Sequence, residues 1–167
     1  MTLGRTTQAA GAVAAAIVAV DQATKALVRA ELMLGERRDL LAGVELVHVR
    51  NSGVAFGFLA DAGALLVVGT ALALLALVVF YATHSGRPLV WMPTGLLLGG
   101  AVGNLIDRAR EGSVTDFVKF PHFPAFNVAD MAITCGVVAL IYVLEGPPRR
   151  RHEAAQAAQA AQAAERA

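Results

Sequence analysis

Four long stretches of this chain carry no Asp, Glu, Lys or Arg: Thr6 to Val20, Ala62 to Gly86, Pro88 to Ile106 and Met131 to Leu144. This charge distribution constrains the fold more than any motif does. Crossing a bilayer takes roughly 20 mainly apolar residues, with a range of about 17–25. The second and third stretches reach that length as they stand. The first and fourth reach it if each admits one aspartate near an end, Asp21 and Asp130. With 56% hydrophobic and 16% charged residues, the 167-residue chain is too apolar for an ordinary soluble domain. The expected fold is an all-α membrane protein with four transmembrane helices, at about residues 8–28, 62–83, 89–106 and 128–145.

The connections differ in character. Between the first two helices, Val44 to Val49 nearly alternates apolar and polar residues, and Gly43, Gly53 and Gly57 interrupt the pattern. That predicts a small β-sheet or hairpin. Asn51-Ser52-Gly53 has turn chemistry, since Asn and Gly tolerate positive φ. The second connection, His84 to Pro88, is short. The third, Ala109 to Phe126, holds Gly112, Pro121 and Pro124 around VTDFVKF, a candidate short strand carrying Asp116. Residues 1–148 therefore read as one integral-membrane domain. Residues 149–167 read as a basic and then Ala/Gln-rich tail of low complexity, without a stripe able to form a core.

Several functions are excluded early. A formal charge of +1, with no basic surface interleaved with aromatics, argues against nucleic acid. The lone Cys135 allows no internal disulfide and reads as a small buried apolar residue. His48 has no second histidine at ligand spacing, so no metal is expected. Arg5 before an Ala/Val run has the outline of a signal peptide. The DQATK that follows reads instead as part of the working protein.

The polar residues embedded in or beside the apolar stretches are the informative ones, because charge within a membrane is costly and has a functional reason by default. Asp21 and Lys25 lie one helical turn apart, acid first, the favourable order for an ion pair. Gly95, Gly99 and Gly103 recur every four residues and let a neighbouring helix approach closely. Asn104 and Arg108 share a face beside that stripe. Asn127 and Asp130 have the spacing of an N-cap and an acid at its third helical position, a variant of the capping box. In a four-helix topology, Asp21, Lys25, Asn51, Asn104, Arg108, Asp116, Asn127 and Asp130 all fall toward one side. Arg5, Arg87 and the Arg149–Arg151 cluster fall on the other, which predicts a cytoplasmic location for that other side.

Five ordered boxes, DQATK (21–25), NSGVAFGF (51–58), GGAVGNLIDR (99–108), TDF (115–117) and FNVAD (126–130), make the chain resemble the bacterial lipoprotein signal peptidases, signal peptidase II. The resemblance covers about Val13 to Leu144. Thr115 departs from it, standing where an aliphatic residue is usual, and the tail lies outside it. The resemblance implies an aspartic endopeptidase of the bacterial cytoplasmic membrane, with both termini cytoplasmic and its site near the opposite face. Such an enzyme removes the signal peptide from prolipoproteins by cutting on the N-terminal side of a diacylglyceryl-modified cysteine. It implies Asp116 and Asp130 as the catalytic pair, Asn51, Asn104, Arg108 and Asn127 as substrate-binding or positioning residues, and Asp21 with Lys25 as structural support. A monomer amid membrane lipid, needing no cofactor, is expected.

The chemistry fits that pair. Two carboxylates sharing a site do not ionise together, so one can accept a proton from water while the other donates to a carbonyl. Asp130 at a helix N-terminus favours its charged form and points toward Asp116 as the protonated partner, but the residues leave open which of the two coupled acids holds the proton. Two other readings remain open from the residues alone: a small proton-coupled transporter, and a non-catalytic scaffold using the glycine stripe.

Overall fold

The computed structural model describes residues 3–53, 62–145 and 162. The box positions 54–58 and the tail, apart from residue 162, lie outside the described residues. Among those described, the order is α1 (Leu3–Glu31), β1 (Arg37–Leu41), β2 (Val44–Asn51), α2 (Ala62–His84), α3 (Trp91–Glu111), β3 (Val114–Lys119) and α4 (Val128–Glu145).

α1, α2 and α4 are long and apolar enough to cross a membrane. α3 is not among them, since glycines and the polar Asn104, Asp107 and Arg108 replace lipophilic side chains along it. Three expected boundaries need correction. α1 begins at Leu3 and ends at Glu31, and α3 continues to Glu111 instead of stopping at Ile106. In both helices the charged flanks simply carry on the helix, since Arg and Glu are good helix formers. The end of an apolar run is not the end of a helix. What stops α3 is Gly112, left-handed at φ 70°, whose N–H closes on the Arg108 carbonyl.

α3 is the central helix, packed against α1, α4 and α2. Its glycine stripe explains why. A methyl group at Gly95 would lie 2.7 Å from the Ala10 carbonyl of α1, and one at Gly99 would lie 2.7 Å from Ile17 Cβ. Gly100, one position round, faces α4 instead, where a methyl would meet the Ala129 carbonyl at 2.5 Å. Among the described residues α2 packs mainly on α3, with Tyr81 also within hydrogen-bond reach of Thr7 of α1, and Leu65, Val68, Leu72, Leu75, Val78 and Val79 point outward along it. Large apolar side chains outside and polar ones inside is the arrangement that lipid, not water, stabilises. Cys135 follows this inversion: it is exposed, contrary to the buried reading.

The expected hairpin and the expected short strand are one object. β1, β2 and β3 form a single antiparallel sheet in that order. β2 pairs with β3 so that Val49 faces Asp116 and Asn51 faces Val114, with an irregularity between Leu46 and Val49. Because β2 follows α1 and β3 follows α3, this pairing draws both long connections to one side of the bundle. The chain then doubles back on β3, with Phe126 N–H donating to Val118 O and both Phe117 and Val118 donating to Phe126 O. This return, closed by stacking of Phe126 on Phe120, delivers Asn127 and the start of α4 beside Asp116.

Candidate active site

Asp116 stands in β3 and is buried between Val114 and Phe117. One of its oxygens accepts from Asn51 Nδ2 at 3.0 Å and the other from Asn127 Nδ2 at 2.7 Å. Burial pushes its pKa up from 3.8 to about 6. The negative charge of Asp130 acts in the same direction, while both asparagine hydrogen bonds and Lys25 oppose it. Desolvation wins, so this acid holds its proton into the mildly acidic range. Each oxygen takes one amide N–H, so the hydroxyl of the protonated acid is left available to donate elsewhere.

Asp130, in the first turn of α4, accepts from Asn104 Nδ2 at 2.8 Å on one oxygen and from the Asn127 N–H at 3.3 Å on the other. Asn127 Oδ1 in turn accepts the Asp130 N–H at 3.0 Å. The capping box is therefore present, and the same residues also belong to the polar cluster. A similar double use occurs at Asn51, whose Oδ1 takes the Gly53 N–H in a turn while its Nδ2 serves Asp116. Asn127 joins the two acids, through its side chain to Asp116 and through its backbone to Asp130.

Asp21 and Lys25 lie behind this cluster, fully buried and 2.8 Å apart. They are not a self-contained pair. Lys25 Nζ also meets Asn104 Oδ1 at 2.9 Å and Asp107 Oδ2 at 3.1 Å, so its three protons have three acceptors. Asp21 reaches across to α4, where its Oδ1 accepts the Ala129 N–H at 2.9 Å and caps that helix from outside. Arg108 contacts the Asn104 carbonyl at 3.5 Å, and its buried Nε has no partner among the described residues. Its side chain lines an apolar groove of about 610 Å³ with Leu65, Leu66, Leu97, Asn104, Asp130 and Ile133. Asp130 also borders a second groove, of about 490 Å³, between Phe123–Phe126 and Met131.

All eight residues singled out from the sequence thus meet in one neighbourhood. Others were missed. Asp107 is not among the residues singled out, although it binds Lys25, Gln22 and the Thr115 N–H. Gln22 ties Asp21, the Gly103 carbonyl and Asp107 together. Glu111 lies between Arg29 and Arg50, and Arg29 donates to the hydroxyl of Thr115, which gives that departure from the usual aliphatic residue a partner of its own. Helical spacing could have flagged Asp107 as one turn from Asn104. Nothing in the sequence indicates that Lys25 reaches it. His48 has a structural task, its Nδ1 donating to the Leu32 carbonyl.

Carboxylates gathered at one end of an apolar helix bundle, beside two apolar grooves, fit a membrane enzyme. The comparisons narrow this class. The model of the signal peptidase (SPase) II family matches residues 13–145. The lipoprotein signal peptidase of Syntrophomonas wolfei is 39% identical over 140 residues, covering 83% of this chain and 94% of that one. That of Brevibacillus brevis is 44% identical over 133 residues, covering 77% and 89%. A bacterial membrane enzyme solved in meso at 1.9 Å resolution superposes with a TM-score of 0.77 at 31% identity, covering 81% of this chain and 91% of its own. The chain belongs to the signal peptidase II family, a family of peptidases.

Proposed function

We propose that this chain removes signal peptides from diacylglyceryl-modified prolipoproteins as a membrane-embedded aspartic endopeptidase. The observation that carries the reading is the pair Asp116 and Asp130 held by a shared Asn127, one acid protonated into the mildly acidic range and the other at a helix N-terminus. Ionised Asp130 accepts a proton from a water molecule whose oxygen attacks the scissile carbonyl carbon. Protonated Asp116 gives its proton to the carbonyl oxygen as the tetrahedral intermediate forms. Collapse returns that proton to Asp116, breaks the C–N bond and delivers the proton on Asp130 to the leaving amine, so both acids end as they began.

Asn51, Asn104 and Asn127 aim the two carboxyls, and Arg108 offers its unpartnered N–H to the substrate backbone. The apolar groove between α2, α3 and α4 suits an apolar signal segment. Residues 1–148 form one domain, with α3 as the fourth span, shielded from lipid by its neighbours. The sheet and the site face away from the cytoplasm of a bacterial cell, and both termini with the His84–Pro88 connection face into it. One chain supplies every group, so a monomer surrounded by lipid is the working unit. The relatives lend no support to a transporter or a scaffold. Cleavage of a diacylglyceryl-modified precursor by purified, folded protein tests the reading. Product ending before the modified cysteine is expected, and no cleavage by the intact chain would overturn it.

A further inference from the structure

The two acids are held by asparagines, and an asparagine amide can point either way. Something must decide which end faces the carboxylates. For Asn104 the decision comes from Lys25. An ammonium group can only donate, so the Asn104 oxygen turns toward Lys25 at 2.9 Å and the NH₂ is left facing Asp130 at 2.8 Å. The Asn104 oxygen also accepts from Asn127 Nδ2 at 3.2 Å, which helps direct that NH₂ group to Asp116. Asp107 acts on the other acid. Its Oδ2 accepts the Thr115 N–H at 3.1 Å, fixing the backbone immediately before Asp116, and the same oxygen meets Lys25. Gln22 pins the second Asp107 oxygen at 3.0 Å.

We propose that Lys25 and Asp107 are a positioning pair: Lys25 sets the Asn104 amide toward Asp130, and Asp107 sets strand β3 so that Asp116 faces the same point. This rests on the reading of Asp116 and Asp130 as the catalytic acids. Neither positioning residue touches the reacting atoms. Among the described residues, the charged groups around the two acids are Lys25 and Asp21 from α1 and Asp107 and Arg108 from α3. The positive charge of Lys25 favours the ionised form of Asp116, and Asp107 partly neutralises Lys25. The two residues therefore act on the pH profile in opposite senses.

Asp107→Ala and Asp107→Asn separate positioning from charge. Both remove the same negative charge and leave Lys25 with Asp21, but only Asn keeps an acceptor for the Thr115 N–H. Cleavage of a diacylglyceryl-modified precursor is measured per folded molecule. Asp107→Ala is expected to lose about 100-fold in kcat with KM little changed, the scale of a small misplacement of catalytic groups, and Asp107→Asn about 10-fold or less. The falling limb of the rate should move to lower pH in Asp107→Asn and to higher pH in Lys25→Met. Equal activity of Asp107→Ala and Asp107→Asn, or a loss confined to KM, would overturn the proposal. Loss of folded protein in Asp107→Ala, with wild-type kcat and pH profile in Asp107→Asn, would assign the pair to stability alone and overturn it too. Asp116→Asn runs alongside. If it stays active, the underlying reading fails; if it is inactive while the Asp107 variants are unimpaired, only the positioning role fails.

Discussion

The two halves of α3 hold the same neighbours by opposite means. Its first half meets α1 and α4 through Gly95, Gly99 and Gly100, where added methyl groups would collide with neighbouring backbone or side chains. Its second half meets them through Asn104 and Asp107, in a cluster of buried charges and amides. Gly103 marks the border: a methyl there would lie 2.6 Å from Asp21 Oδ2. Close backbone packing is the stabilising device available where lipid removes the hydrophobic drive between helices. Buried ion pairs, by contrast, contribute little net stability and cost about 3–5 kcal/mol when one partner is removed. The glycine half anchors the bundle, and the polar half holds groups whose arrangement serves chemistry.

The strongest break between the halves should come at the acids. Asn keeps the size of Asp but cannot exchange its proton, so Asp116→Asn and Asp130→Asn should each lower cleavage by about 10³-fold or more, and the double variant should be scarcely worse. Precursor cleavage by quantified, folded protein checks this. If Asp130 served only as a helix cap, its replacement would cost about 1 kcal/mol of stability and spare turnover.

Gly100→Ala attacks the other half. The new methyl meets a backbone carbonyl of α4, next to Asp130, and cannot be accommodated by a side-chain rotation. A destabilisation of about 1–3 kcal/mol is expected, with reduced kcat because Asp130 moves with the helix. Thermal unfolding in detergent, paired with the cleavage assay, reads both. An unaltered unfolding temperature would mean that the two helices are not held by close approach.

The pH response sharpens the contrast. Asp116 releases its proton near pH 6 in the folded protein but near 3.8 unfolded, so between those values the folded state binds more protons and stability falls as pH rises. Wild type should therefore lose stability relative to Asp116→Asn between about pH 4 and pH 7, while its cleavage rate falls through about pH 6. Parallel melting curves of the two proteins across that window test the sign. The smallest effect belongs to α2: Leu72→Ala, on its outward face, should leave both cleavage and unfolding nearly unchanged.

The helical bundle was legible in the residues, because long uncharged runs have few other fates, and so were eight members of the polar cluster, but not Asp107, Gln22 or Glu111. Spacing marked Asp130 with Asn127, the Asp21–Lys25 pair and the glycine stripe, all of them contacts within one helix or one repeat. It placed Asp116 on a strand and Asn51 at a turn, as the structure has them. That these strands share one sheet, that Lys25 serves Asn104 and Asp107 as well as Asp21, and that Asp107 steadies the backbone before Asp116 emerges from the folded chain alone. Those contacts join residues about 80 positions apart or lie across a helix end, where no periodicity records them. Amide direction is likewise absent from sequence, since an asparagine's two ends are told apart only by the donors and acceptors that surround it.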